Sequence, residues 1–211
     1  MHHIPTDREI LALHERYAPS PEALDVVYTH CEIVCRIAEQ LLAIAGGGTA
    51  GGAAASAFSG IDADLVRAGS LLHDIGVYRL YDDAGHLDEA AYIRHGVLGH
   101  ELLRTAGFSD QICRFASHHT GVGISRDDVI RQGLPLPPAD YLADTPEESL
   151  VMYADKFHSK TTPPTFVTPA SYAASVRRYG ADKAAAFENM RARFGDPDLT
   201  PLARAYGHQV S

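Results

Sequence analysis

Apolar positions along the chain recur at steps of three and four residues, the spacing of one buried face on an α-helix, and no stretch alternates at the strand period of two. Asp7 to Tyr17 reads as a short helix, stopped by Pro19 and Pro21. A long helix from about Pro21 to Ala45 places Val27, His30, Val34, Ile37 and Leu41 on one face. Ile61 to Leu72 forms the next, with Asp62 as N-cap, Leu65, Val66, Ala68, Leu71 and Leu72 recurring at helical spacing, and Gly76 as its stop. A helix starting at about Glu89 or Ile93 carries His95, Leu98, Gly99 and Leu102 inward, and Ser109 to His119 carries Ile112, Phe115, Ala116 and His119. Thr145-Pro146-Glu147-Glu148 reads as a capping box with Pro at the first helical position, opening a helix that contains Leu150 to Ala154 and Phe157. Ser171 to Tyr179, Ala181 to Phe194 and Leu199 to Tyr206 complete the series. The expected fold is therefore all-α, a helical bundle without strands. It is read as one domain over residues 1–211, with a core at about 21–160 and C-terminal helices over 170–207 packed on it.

Three stretches break the periodicity. Gly46 to Gly60 is rich in Gly, Ala and Ser and is expected to be a mobile loop. Tyr78 to Glu89 is mixed and reads as loop with His86 exposed, and Thr161 to Pro169 is a Pro/Thr-rich loop.

The same periodicity isolates polar residues on apolar faces: His30, His73, Asp74, His95, His119 and Asp155. His73 and Asp74 lie side by side at the end of an apolar helix, where burying them is costly unless something compensates, and a divalent metal suits a mixed nitrogen and oxygen pair. Helical phase separates neighbours. His100 lies about 140° from His95 at about 100° per residue, and His118 falls with Gln111 and Arg114 on the polar face, so His95 and His119 are the inward candidates. Taken singly, each such residue is more often a satisfied core histidine or an ion-paired acid. All of them together, separated by long gaps, point to a metal centre.

Composition narrows the function. With 211 residues and 45% hydrophobic content, the chain can bury one sizeable core. A formal net charge of −9 argues against a nucleic-acid polymer or a membrane surface as partner, because both require concentrated Lys and Arg. A polar, short start and the lack of a long apolar run lead to the expectation of a cytoplasmic protein. Cys31, Cys35 and Cys113 fit reduced core thiols better than a disulfide framework.

The order of these residues resembles the HD-domain superfamily of metal-dependent phosphohydrolases, over roughly Tyr28 to His158. His73-Asp74-Ile75-Gly76 has the HDIG form of its signature, and Arg94-His95-Gly96-Val97-Leu98-Gly99 is similar to the helix that carries a third His. His119-Thr120-Gly121-Val122-Gly123 and Tyr153-Ala154-Asp155-Lys156 resemble the small, stand-alone subgroup. The resemblance implies that His30, His73, Asp74 and Asp155 ligate one divalent ion. It further implies that His95 and His119 add a second, with Asp74 as the bridging and catalytic carboxylate; Mn, Fe, Ni, Zn and Mg all remain open. A metal-activated hydroxide would then attack a phosphomonoester or nucleotide. Lys156, His118, Arg79 and Arg94 are the candidates to contact phosphate, and a homodimer is left open. Val77 replaces the Lys that often follows HDIG, and no Gly-Tyr-Pro follows His118-His119, which argues against an HD-GYP cyclic-dinucleotide phosphodiesterase. Val26, one turn before His30, takes the place of the acid that a third ion would need. The same ligand set also leaves open a di-iron oxygenase and, in another class, a non-catalytic module that binds a nucleotide or a partner.

Overall fold

The computed structural model describes residues 3–47 and 60–211. Two N-terminal helices, α1 (Asp7–Tyr17) and α2 (Pro21–Gly47), lead to α3 (Ala63–Leu72), which runs into a 3₁₀ turn over Ile75–Leu80. After a second 3₁₀ turn at Tyr92–Arg94 come α4 (His95–Thr105), α5 (Asp110–Ser117), α6 (Arg126–Gln132) and α7 (Pro146–Asp155). The C-terminal part holds α8 (Pro169–Val176), α9 (Ala181–Phe194) and α10 (Thr200–Tyr206), together with two-residue strands β1 (His158–Ser159), β2 (Thr165–Phe166) and β3 (Gln209–Val210). The fold is all-α, and no described helix is long and apolar enough to cross a membrane.

The centre of the bundle is α3, packed against α2, α5 and α7. Its Asp62 cap accepts from the main-chain N–H groups of Asp64 and Leu65, at 3.0 and 3.1 Å, and Leu65 to Leu72 are buried apart from Arg67. Val27, Val34, Ile37 and Leu41 of α2 are fully buried beside it; each such side chain contributes about 1.5–3 kcal/mol on leaving water. The C-terminal helices join the same core through an aromatic cluster, in which Tyr153 of α7 lies 5.6 Å from Phe187 and 5.8 Å from Phe194 of α9, centroid to centroid. Gly76 sets the approach of α4 to the HDIG turn: a β-carbon there would collide with the carbonyl of His95 and the main-chain N of Gly99.

Four local expectations are corrected. A sheet forms where none is expected: β1 pairs antiparallel with β2 across His158 and Phe166, and β2 pairs parallel with β3. Strands of two residues are too short to show alternation, and β2 interrupts the stretch read as loop over Thr161 to Pro169. Helix α5 stops at Ser117 with His118 as its cap, two residues short of the expected end at His119, because the chain leaves helical geometry before Gly121 and Gly123, which take positive φ. Helix α6 arises in a stretch to which the sequence pattern assigns no helix, and its capping box uses Asp128 returning to the Ser125 N–H at 2.9 Å. At Thr145 the box is half made: the Thr side chain accepts from the Glu148 N–H, but Glu148 turns instead to Arg114 and the Asp144 N–H. The loop expected over Gly46 to Gly60 falls, from residue 48 to 59, outside the described residues.

Candidate metal centre

One buried point gathers side chains from α2, the α3 end, α4, the end of α5 and α7. His30, His73, Asp74, His95 and His119 are buried and Asp155 is partly so. Three imidazoles are oriented by their own main chain. His73 Nδ1 donates to the Ser70 carbonyl at 2.7 Å, His95 Nδ1 to Tyr92 at 2.6 Å and His119 Nδ1 to Phe115 at 3.0 Å. In the neutral form of each ring the single proton is thereby placed on Nδ1, and Nε2 is the atom turned into the cluster, the arrangement that outer hydrogen bonds give to metal-binding histidines.

Asp74 lies between two groups and turns one oxygen to each. Its Oδ2 is 3.3 Å from His30 Nε2 and 3.6 Å from His73 Nε2, and its Oδ1 is 3.4 Å from His95 Nε2 and 3.5 Å from His119 Nε2. Asp155 Oδ1 closes the first group, 3.0 Å from His30 Nε2 and 3.4 Å from His73 Nε2. His30, His73 and Asp155 offer ligand atoms within 4.8 Å of one another, and so do His73, Asp74 and His119.

The electrostatics bear on what the cluster can hold. Burial pushes His95 down to about 4 and lowers His119, so both are neutral at pH 7, yet their Nε2 atoms face each other at 3.0 Å. Two lone pairs at that distance repel unless a cation lies between them. Asp74 Oδ1, buried beside them, accepts no hydrogen bond among the described residues. A buried carboxylate oxygen without a partner is costly, and a metal ion is the partner that also satisfies the two imidazoles. In the other half, existing charges fill the role: burial opposes a charge on His73, but Asp74 raises its pKa well above the usual value. Burial likewise works to raise the Asp74 carboxyl, and the Lys160 ammonium, which donates to Oδ2, and His73 outweigh it and hold it well below the usual range. The donor set thus fits divalent ions on both sides of Asp74.

The expected phosphate contacts are only partly brought here. Lys156 is buried at the cluster, donating to Asp155 Oδ2 at 2.7 Å and to the His119 carbonyl at 3.2 Å. His118 points elsewhere: Arg114, which clasps Glu148 with bonds of 2.7 and 3.0 Å, donates from Nη1 to His118 Nε2 at 3.0 Å, and the ring continues to Ser117 and His100. Arg79 is exposed with its guanidinium 5.5 Å from the Tyr17 ring centroid, and Arg94 is exposed in a separate cleft with Leu98 and Pro135. The structure does not bring these three side chains to the cluster: Arg79 and Arg94 are exposed, and His118 is held by Arg114. Lys160 and His158 were missed. Both follow α7 in a segment without helical period, where neither phase nor motif separates them from loop residues. His158 Nδ1 lies 2.9 Å from His30 Nδ1, and burial with neighbouring His30 drops its pKa to about 2.

A cleft of about 670 Å³ opens over the first group, lined by His30, Asp155, Lys156, Lys160, Tyr92 and Arg178.

Among relatives, the chain is 43% identical over 95 residues to an uncharacterized protein of Methanocaldococcus jannaschii, covering 45% of this chain and 49% of the other. It is 36% identical over 94 residues to a tRNA (cytidine(56)-2'-O)-methyltransferase of Thermoplasma volcanium, and 37% over 98 residues to the enzyme of that name from Picrophilus torridus. These matches cover 44% and 46% of this chain, and the chain spans 24% and 25% of those two proteins. Among solved structures, the HD domain of the L. monocytogenes phosphodiesterase PgpH matches at a TM-score of 0.48. In complex with cyclic-di-AMP it shows 15% identity and covers 88% of this chain and 95% of that one; without it, 16% identity, 95% and 100%. The HD-domain family model itself matches residues 27–160, which include all six residues of the cluster, and the chain belongs to the HD-domain family.

Proposed function

We propose that the chain is a metal-dependent phosphohydrolase that cleaves a small phosphate ester, a phosphomonoester or nucleotide, at a dinuclear centre. The observation that carries this reading is Asp74, whose two oxygens each face a separate pair of imidazole Nε2 atoms. His30, His73 and Asp155 hold one ion with Asp74; His95 and His119 hold the other. The ions, when bound, supply an activated water and positive charge at the phosphoryl group.

The chain's own residues do the rest. Three main-chain carbonyls hold the Nδ1 protons of His73, His95 and His119 and so leave Nε2 as the ligating atom of each neutral ring. Lys156 holds Asp155 in place and adds charge at the cleft wall, and burial acting against its charge is outweighed by Asp155, so it stays an ammonium. Lys160 is the freer cation: burial opposes its charge too, Asp74 overrides it, and its ammonium lies in the cleft, 5.9 Å from the Tyr92 ring centroid. Arg178 adds a third positive group at the rim. A dianionic phosphate is attracted to such a cleft despite the overall negative charge of the chain. The volume suits a molecule of nucleotide size, within the usual range for small-ligand sites.

The test is release of inorganic phosphate from a panel of nucleoside monophosphates and sugar phosphates, with protein loaded in turn with Mn, Fe, Ni, Zn and Mg. Metal-dependent turnover of at least one ester is expected. Dioxygen consumption by the iron-loaded protein with no phosphate release under any ion would contradict the reading and favour oxygenase chemistry.

A further inference from the structure

Behind His30 the structure holds a row of three imidazoles. His30 Nδ1 meets His158 Nδ1 at 2.9 Å, and His158 Nε2 meets His208 Nδ1 at 3.0 Å. The rings are nearly parallel in sequence, with centroids 5.2 Å apart in each step and interplanar angles of 29° and 19°. The small sheet builds this row. His158 is the first residue of β1, its register partner Phe166 in β2 packs against the rings of His158 and His208, and β3 follows His208 directly. Gly207, in the left-handed region at φ 69°, ends α10 and turns the chain so that His208 enters the row. His208 lies well beyond the stretch that matches the family, residues 27–160.

We infer that His158 and His208 are positioning residues for the first metal ion, fixing through hydrogen bonds the ring orientation and tautomer of His30. The inference rests on the proposal that His30 ligates through Nε2. An ion on Nε2 requires the ring proton on Nδ1, which then donates to His158 Nδ1. His158 accordingly carries its own proton on Nε2 and donates it to His208 Nδ1. The last acceptor is therefore His208, on the segment between α10 and β3. His73, His95 and His119 each use a carbonyl of their own helix or turn for the same purpose; His30 alone among the four uses another side chain. Partners of this kind raise ligand basicity, and losing one costs about 10–100-fold in metal affinity.

The experiment measures Zn²⁺ affinity by chelator competition for the wild type, His208→Leu, His208→Asn and His30→Ala, alongside the thermal midpoint of each metal-free protein. His208 is half-buried and lies outside the helices, so the fold should persist in its variants. His208→Leu is expected to bind the tighter ion about tenfold more weakly with an unchanged metal-free midpoint, and His208→Asn, whose Oδ1 stands in for Nδ1, is expected to restore most of that loss. In ¹⁵N spectra of the Zn²⁺-loaded wild type, His30 and His158 should show protons on Nδ1 and Nε2 respectively. Wild-type affinity in His208→Leu, or equal losses in the Leu and Asn variants, would overturn the inference. Full Zn²⁺ binding by His30→Ala would instead overturn the metal reading on which it rests.

Discussion

His95 Nε2 and His119 Nε2 face each other at 3.0 Å, although both rings are neutral and each has given its Nδ1 proton to a main-chain carbonyl. No group among the described residues explains why α4 and the end of α5 should hold two lone pairs in opposition, and an ion shared with Asp74 Oδ1 would. His119→Ala is therefore expected to lose the second ion, whereas His118→Ala, whose ring belongs to the Arg114–Glu148 clasp, should keep both. Metal analysis of the two purified variants decides it; loss in His118→Ala with retention in His119→Ala would refute the assignment.

That distinction between neighbours shows how far the sequence could be read. The stripe Ile112, Phe115, Ala116, His119 points to the right ring, but the helix on which it relies ends at Ser117. His119 stays inward because its Nδ1 reaches back to the Phe115 carbonyl, one turn earlier. The helices and the six convergent polar residues were legible because burial imposes a period on each. Lys160, His158 and His208 were not, because they sit on or directly beside two-residue strands, where position is set by pairing with distant residues. Arg79, Arg94 and His118 are near the motifs in sequence, yet the structure turns them away from the cluster, because nearness in sequence says nothing about the direction a side chain takes.

Lys160 should separate binding from metal content. Its ammonium donates to Asp74 and faces the cleft, so Lys160→Met is expected to lower kcat/KM on the order of 10–100-fold, the scale of one lost charged hydrogen bond. Metal affinity should not weaken, since an ion must displace this ammonium from Asp74. Steady-state kinetics with parallel metal analysis checks both, and weaker metal binding would show Lys160 to be part of the metal support.

Gly76 places the HDIG turn against α4 at backbone contact. Gly76→Ala is expected to cost at least about 2 kcal/mol, because the neighbours of the added methyl are main chain and cannot turn aside. It should also reduce second-ion binding through His95. Urea unfolding of the metal-free variant measures the first effect, and an unchanged midpoint would show that the two segments can separate freely.

His14 predicts the acid limit of stability. It is fully buried, its ring nitrogens 2.8 Å from the Leu71 carbonyl and the Tyr78 hydroxyl, and burial lowers its pKa from 6.5 to about 4. The unfolded chain takes up this proton at about pH 6.5 and the folded chain only near 4, so the unfolded state binds more protons between those values. Stability is complete above 6.5 and falls as pH drops toward 4, by roughly 3 kcal/mol from this group. His14→Gln, which retains a donor and an acceptor without titrating, should lose less over that window. Parallel thermal melts from pH 7.5 to 4 test this, and identical pH profiles for the two proteins would contradict it.

The central claim is that Asp74 joins two metal ions, and the direct measurement is the number of ions per folded chain in protein purified without chelator, for the wild type and Asp74→Ala. Two ions per wild-type chain are expected, with loss of both from Asp74→Ala and no loss from Cys31→Ala or Cys35→Ala, whose thiols are free and buried. A folded wild type that binds none of Mn, Fe, Ni, Zn or Mg, or an Asp74→Ala variant that retains two ions, would contradict the account.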